Sequence, residues 1–113
     1  NLVGYVWADE GINLDKAHKM IKEALKQRPD DPYIMDSMAW VLYKQGKPKE
    51  AYRYLKKALK KLDNDPTTHE HMGDVLKSMG RKKMALEYYL KASELSKKPP
   101  RDELKVKIME LQH

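Results

Sequence analysis

Cysteine and phenylalanine are absent from the 113 residues, and glycine occurs only five times. Without cysteine there is no disulfide framework and no thiolate metal site, although compartment stays open between cytoplasm and periplasm. No apolar run approaches the roughly 20 residues that a membrane-spanning helix needs. No Walker loop, dinucleotide fingerprint or Ser–His–Asp arrangement is present, so the chain is not expected to be an enzyme and no cofactor is implied. The four histidines make a poor metal site. His69 and His71 are two apart, which turns them roughly 200° from each other around a helix. His18 is expected on the surface, and no metal ligands are assigned. The acidic pairs Asp9–Glu10, Asp30–Asp31 and Asp63–Asp65 fall where turns are expected and read as helix caps and solubilising charge.

What is present is charge and aliphatic periodicity. Apolar residues make up 41% of the chain, enough for a continuous core, and charged residues 35%, enough to solvate helix faces around it. The net charge is +6. Lysines spread over exposed helix faces account for it, because they lack the interleaved aromatics that single-strand binders use. The alternative is a basic surface, around Lys56, Lys57, Lys60 and Lys61, that docks on nucleic acid or an anionic membrane.

The most regular stretch is residues 32–65. Ala51, Leu55, Ala58 and Leu62 recur at spacings of four, three and four, and Met35, Met38, Ala39 and Leu42 share a face in the same way. Gly46 divides two amphipathic helices. Small residues at Ala39, Ala51 and Ala58 let the two axes approach, with Leu42 and Leu55 beside them. Asp31 can cap the first helix, and Pro32 suits its first turn. A shift of 34 residues lays Ala39 on Gly73, Gly46 on Gly80, Ala51 on Ala85, Leu55 on Tyr89 and Ala58 on Ala92. The reverse shift lays Ala51 on Ala17, Leu55 on Ile21 and Ala58 on Ala24. Upstream, Val3, Gly4 and Trp7 correspond to Met38, Ala39 and Leu42, with a one-residue insertion in the turn Gly11–Leu14, where Asn13 or Asp15 is the expected cap. Met20, Met35, Met38, Met72 and Met84 are expected in the core.

A helix–turn–helix unit with a period of 34 resembles the tetratricopeptide repeat (TPR) family. The stretches DSMAWVLYKQGKPKEA and GDVLKSMGRKKMALEYY resemble bacterial members. The resemblance implies an all-α right-handed superhelix of three units over residues 1–98: a truncated first repeat at 1–31, a second at 32–65 and a third at 66–98. Residues 99–113 depart from the repeat, with Lys107 where a small residue would stand, and are expected to form a C-terminal capping helix on the apolar stripe Leu104, Ile108 and Leu111. The pattern enters part-way through a repeat, so a fragment of a longer array is expected.

The resemblance also implies that the first helix of each unit lines a concave groove and that the function is protein–protein recognition, as an adaptor or scaffold. Residues on that side and off the packing stripe are Tyr5, Tyr33, Asp36, Trp40, Tyr43, Glu70, Asp74 and Lys77. Tyr33, Asp36, Trp40 and Tyr43 form one stripe at spacings of three, four and three. Whether Trp40 and Tyr43 contact a ligand or pack on neighbouring helices stays open. Some TPR domains hold a C-terminal carboxylate with groove Lys and Asn. The matching positions here are Asn1, Tyr5, Ser37, Thr67 and His71, of which only Asn1 is compatible. Acidic chaperone tails are therefore not the expected ligand; an apolar or aromatic peptide carrying Lys or Arg is. Homo-oligomerisation through an uncovered N-terminal helix, with Leu2 and Val6, is also expected, as is the alternative of a purely structural array.

Overall fold

The computed structural model describes residues 2–96 and 101–112, the Leu2 side chain excepted. Asn1, the Lys97–Pro100 stretch and His113 lie outside the described residues, and with them the one position compatible with carboxylate capture. The described residues are all-α, in seven helices without a strand: α1 Leu2–Glu10, α2 Leu14–Gln27, α3 Pro32–Lys44, α4 Pro48–Leu59, α5 Pro66–Ser78, α6 Lys82–Leu95 and α7 Asp102–Gln112. They fall into two compact units, Asn1–Lys61 and Leu62–His113.

The first unit holds the hairpins α1–α2 and α3–α4, with α3 also packed on α1 and α2. Its core is Ala17 and Ile21 from α2, Ile34, Met38, Ala39, Val41 and Leu42 from α3, and Ala51, Leu55 and Ala58 from α4. The second unit holds the hairpin α5–α6, with α7 packed on α6. Met72, Val75, Leu76, Ala85, Tyr89, Ala92 and Leu104 are buried there.

Each hairpin turns in the same way. The Gly46 N–H donates to the Tyr43 carbonyl at 3.0 Å and the Lys47 N–H to the Leu42 carbonyl at 2.8 Å. This is a Schellman end, which satisfies the last carbonyls of a helix and needs a left-handed residue. Gly46 supplies it, with φ of 81°. Gly11 and Gly80 repeat the pair of bonds. Helix starts are equally local. Asp31 accepts from the N–H groups of Tyr33 and Ile34, and Asp65 from the N–H and hydroxyl of Thr68. Proline occupies the first turn of α3, α4 and α5, where a missing N–H costs nothing.

The inserted residue after Gly11 departs from expectation. Asn13 takes the left-handed conformation at φ of 50° and makes no side-chain cap. Asp15 does not cap either; its Oδ1 accepts from Gln45 Nε2 at 3.2 Å, tying α2 to the end of α3. Two of the five core methionines are also corrected. Met20 and Met84 are exposed, because each lies on the outer edge of its helix beyond the alanine stripe; Met38 and Met72 are buried and Met35 half-buried.

Of the glycines inside helices, Gly73 in the second unit has the least room. A methyl group at Gly73 would overlap the Tyr89 ring, 2.5 Å from Cδ1. Tyr89 is fully buried and its hydroxyl donates to Asp74 Oδ1, so the ring cannot swing aside. Gly73→Ala gains about 1 kcal/mol of helix propensity but overpacks a rigid contact at about 1–3 kcal/mol. The expected outcome in urea denaturation is net destabilisation. In a Tyr89→Leu background the same substitution should become stabilising; additive effects of the two changes would refute the contact as the cause.

Candidate functional site

On α3 the stripe foreseen from spacing is a stacked aromatic pair with an exposed lead residue. Tyr33 is 63% exposed at the first turn, its backbone fixed by the Asp31 cap at 2.9 Å. One turn and more along, Trp40 and Tyr43 stack with ring centroids 5.0 Å apart at an interplanar angle of 25°. The Lys44 ammonium lies over both rings, 5.1 Å from the Trp40 centroid and 6.0 Å from that of Tyr43. Trp40 Nε1–H donates to Asp9 Oδ1 at 3.1 Å, so the indole bridges α3 to the last turn of α1. Trp40 is only 6% exposed, Asp36 is buried, and Tyr5 and Tyr43 are half-buried. The aromatic stripe thus packs at its C-terminal end and faces outward at Tyr33.

On α5 the foreseen acidic face is occupied by α7. Lys107 Nζ lies 2.8 Å from Glu70 Oε2 and 3.0 Å from Asp74 Oδ1, and Arg101 Nη2 reaches Glu70 Oε1. Lys77 pairs with Glu110 of α7 at 3.0 Å. Asp74 also accepts the Tyr89 hydroxyl, and Lys107 stands 5.8 Å from the Tyr89 ring centroid. Burial alone would push the Glu70 carboxyl up, but the hydrogen bond and charge of Lys107, with Arg101, hold it below its ordinary value of 4.5. Burial would likewise push Lys107 down, and its two carboxylate partners instead raise it above 10.5. Helix α7 is therefore held by more than apolar contact: only Leu104 of its stripe is buried, Ile108 and Leu111 are half-buried, and ion pairs to α5 complete the packing.

Lys107 and Arg101 are the site residues that spacing missed. The available signal was charge complementarity: two acids at an i, i+4 spacing on α5 and a lone cation in the apolar stripe of α7. The remaining polar candidates are structural in geometry. His69 is buried, and its ring Nε2 sits 2.8 Å from the Asp63 carbonyl and its ring 5.8 Å from Tyr88. His18 Nδ1 lies 3.0 Å from Gln45 Oε1. Ser37 and His71 are buried and Thr67 is exposed, so these positions present no Lys or Asn pair to a carboxylate.

The profile of the tetratricopeptide repeat matches residues 5–104, and the chain belongs to the tetratricopeptide repeat family. The TPR repeat-containing protein PA4667 of Pseudomonas aeruginosa is 45% identical over 51 residues, which is 45% of this chain and 9% of that protein. The matched stretch thus spans less than a tenth of that relative's length. The first TPR of Spaghetti (RPAP3), bound to the HSP90 peptide SRMEEVD, superposes with a TM-score of 0.83 at 16% identity, covering 96% of this chain and 84% of that one. The Yersinia enterocolitica type III secretion chaperone SycD, in complex with a peptide of the translocator YopD, superposes with a TM-score of 0.81 at 14% identity, covering 97% of this chain and 87% of that one. At these identities the likeness is one of fold.

The ion pairs set a pH window for α7. A carboxylate whose pKa is lowered on folding stabilises fully above its ordinary value and loses that contribution as pH falls through the lowered one. A raised ammonium stabilises below 10.5 and loses its contribution as pH rises through the raised value. Hydrogen-exchange protection of the α7 amides should therefore hold at neutral pH and drop on acidification below about 4.5. Lys107→Met should lower that protection at pH 7 and flatten its acid dependence; an unchanged profile would show the dock to be apolar alone.

Proposed function

We propose that the protein is an adaptor whose first unit binds a peptide segment of a protein partner along the outward face of α3. The observation that carries this reading is Tyr33: a large aromatic, mostly exposed, on a helix start held rigid by its own cap. An exposed tyrosine on a fixed backbone has only two side-chain torsions to lose on binding, which is why such residues serve as anchors. The half-buried Tyr43 and Tyr5 extend the apolar area, and the Asp9 carboxylate lies exposed beside Trp40. An apolar or aromatic side chain followed by Lys or Arg suits this combination: the ring supplies affinity and the carboxylate orients the cation. The peptide complexes of RPAP3 and SycD support groove recognition as a use of this fold. The HSP90-type acidic tail is disfavoured here, since Tyr5, Ser37, Thr67 and His71 stand at the matching positions. On α5 the equivalent residues Glu70, Asp74 and Lys77 accept a partner only where α7 is displaced, because Lys107, Arg101 and Glu110 already hold them.

The test is capture of partners from the source cells with wild type and with Tyr33→Ala, followed by titration of the captured segment. Loss of an anchoring tyrosine should weaken binding by at least about 2 kcal/mol, with circular dichroism unchanged because Tyr33 supports no core. Trp40→Ala should instead weaken both binding and stability, since it removes a stack and leaves Asp9 without its donor. Wild-type affinity in Tyr33→Ala would remove the α3 face from consideration.

A second reading, self-association, is favoured by Val3 and Val6 on α1, which are 51% and 43% exposed. Apolar side chains that lie side by side in water favour a partner of like surface. Light scattering at high micromolar concentration should give a mass above that of the monomer, reduced by Val3→Glu/Val6→Glu; a monomer throughout would exclude it.

A further inference from the structure

The first unit carries a cleft of about 600 Å³, away from the α3 stripe, between α2 and α4. Its walls hold cations in pairs: Lys22 and Lys26 on α2, Arg53 and Lys57 on α4, each pair at an i, i+4 spacing. Its floor is aliphatic, from Met38 and Leu42 of α3. The only acid lining it is Glu50. Like charges four apart on one helix disfavour that helix, so folding does not account for two such pairs facing one cleft. Among the described residues, neither Lys22, Arg53 nor Lys57 has a carboxylate within 4 Å, and Lys26 has only the exposed Glu23 at 3.9 Å. The volume lies in the range of ligand-binding clefts of about 300–1,000 Å³.

We propose that this cleft is a second binding site, for an acidic peptide segment that carries an aliphatic anchor. Charge complementarity selects the anion: carboxylates on either side of the anchor meet the two cation pairs, with Arg53 able to grip one of them in bidentate fashion. The aliphatic floor selects a peptide over nucleic acid. Single strands bind through a run of stacked aromatics, and the cleft offers only the Tyr54 ring and the His18 imidazole, the latter with Nδ1 3.0 Å from Gln45 Oε1. The concave shape selects a peptide over a bilayer surface. This site differs from the α3 face in position and in ligand charge, so the two fail independently.

The experiment is fluorescence anisotropy of the whole chain with a fluorescein-labelled acidic peptide, SDEDLLEDES, at physiological salt. Saturable binding is expected, weakened at least tenfold by Lys22→Glu/Lys57→Glu and several-fold when both leucines of the peptide are changed to serine. Both substituted lysines are exposed, and circular dichroism checks that the fold is retained. Tyr33→Ala should leave this binding unchanged. Absence of saturation with wild type, or equal affinity in Lys22→Glu/Lys57→Glu, overturns the proposal. So does equal affinity for the serine peptide, which would reduce the site to charge alone. Tighter binding of a labelled oligothymidine or of phosphatidylserine vesicles than of the peptide would reassign the cleft to those ligands and likewise overturn it.

Discussion

Between Gly73 and the Tyr89 ring there is no room for a methyl group, and each hairpin uses a version of that constraint. Gly4 stands against Ile21, where an added Cβ would lie 3.2 Å from Cγ1. Ala39 and Leu55, at the equivalent places in the second hairpin, are both fully buried. A small residue on the first helix and a larger one on the second set how near the axes come. The volumes trade off: the bulkiest second-helix residue, Tyr89, faces glycine. Interiors packed to crystal density leave no other arrangement for a hairpin of this spacing. The Schellman glycines and the Asp31 and Asp65 caps then fix where each helix ends and the next begins, so a local turn code and a packing code agree.

That agreement explains why the helices were legible in the sequence. Small and large residues four, three and four apart, a glycine at each hairpin turn, and prolines in the first turns of α3 and α5 are all local signals. Asn13 was not legible as it stands. An asparagine before a helix reads as a cap, but the insertion after Gly11 makes it absorb a left-handed turn, and its side chain makes no capping hydrogen bond. Met20 and Met84 failed for a related reason. Apolar spacing identifies a face but not its width, and these two lie at an edge the alanines do not cover.

The candidate site was legible only as a list of faces. The spacing of Tyr33, Asp36, Trp40 and Tyr43 does define one stripe, yet it cannot say which members are spent on packing. Trp40's partner is Asp9, 31 residues earlier, and no periodicity links them. The same holds for Glu70 and Asp74, whose cations come from Lys107 on α7 and from Arg101 just before it, outside the repeat pattern. A stripe of acids looks like a binding surface until the distant residues that neutralise it are placed.

The second unit's electrostatics has a consequence for how such a module can be used. Glu70 has two cationic partners and Lys107 two acidic ones, so the cluster is shared rather than a set of separate pairs. Removing one member of a mostly buried cluster leaves an uncompensated charge, which costs far more than an exposed pair contributes. An incoming ligand cation can replace Lys107 against Glu70 and Asp74 with little net change in charge, whereas an apolar ligand cannot. The α5 face is thereby closed to neutral segments and open, at most, to a cation that competes with α7. Under the function proposed above, recognition by apolar contact then falls to the face where an aromatic already stands in solvent, at Tyr33 on α3.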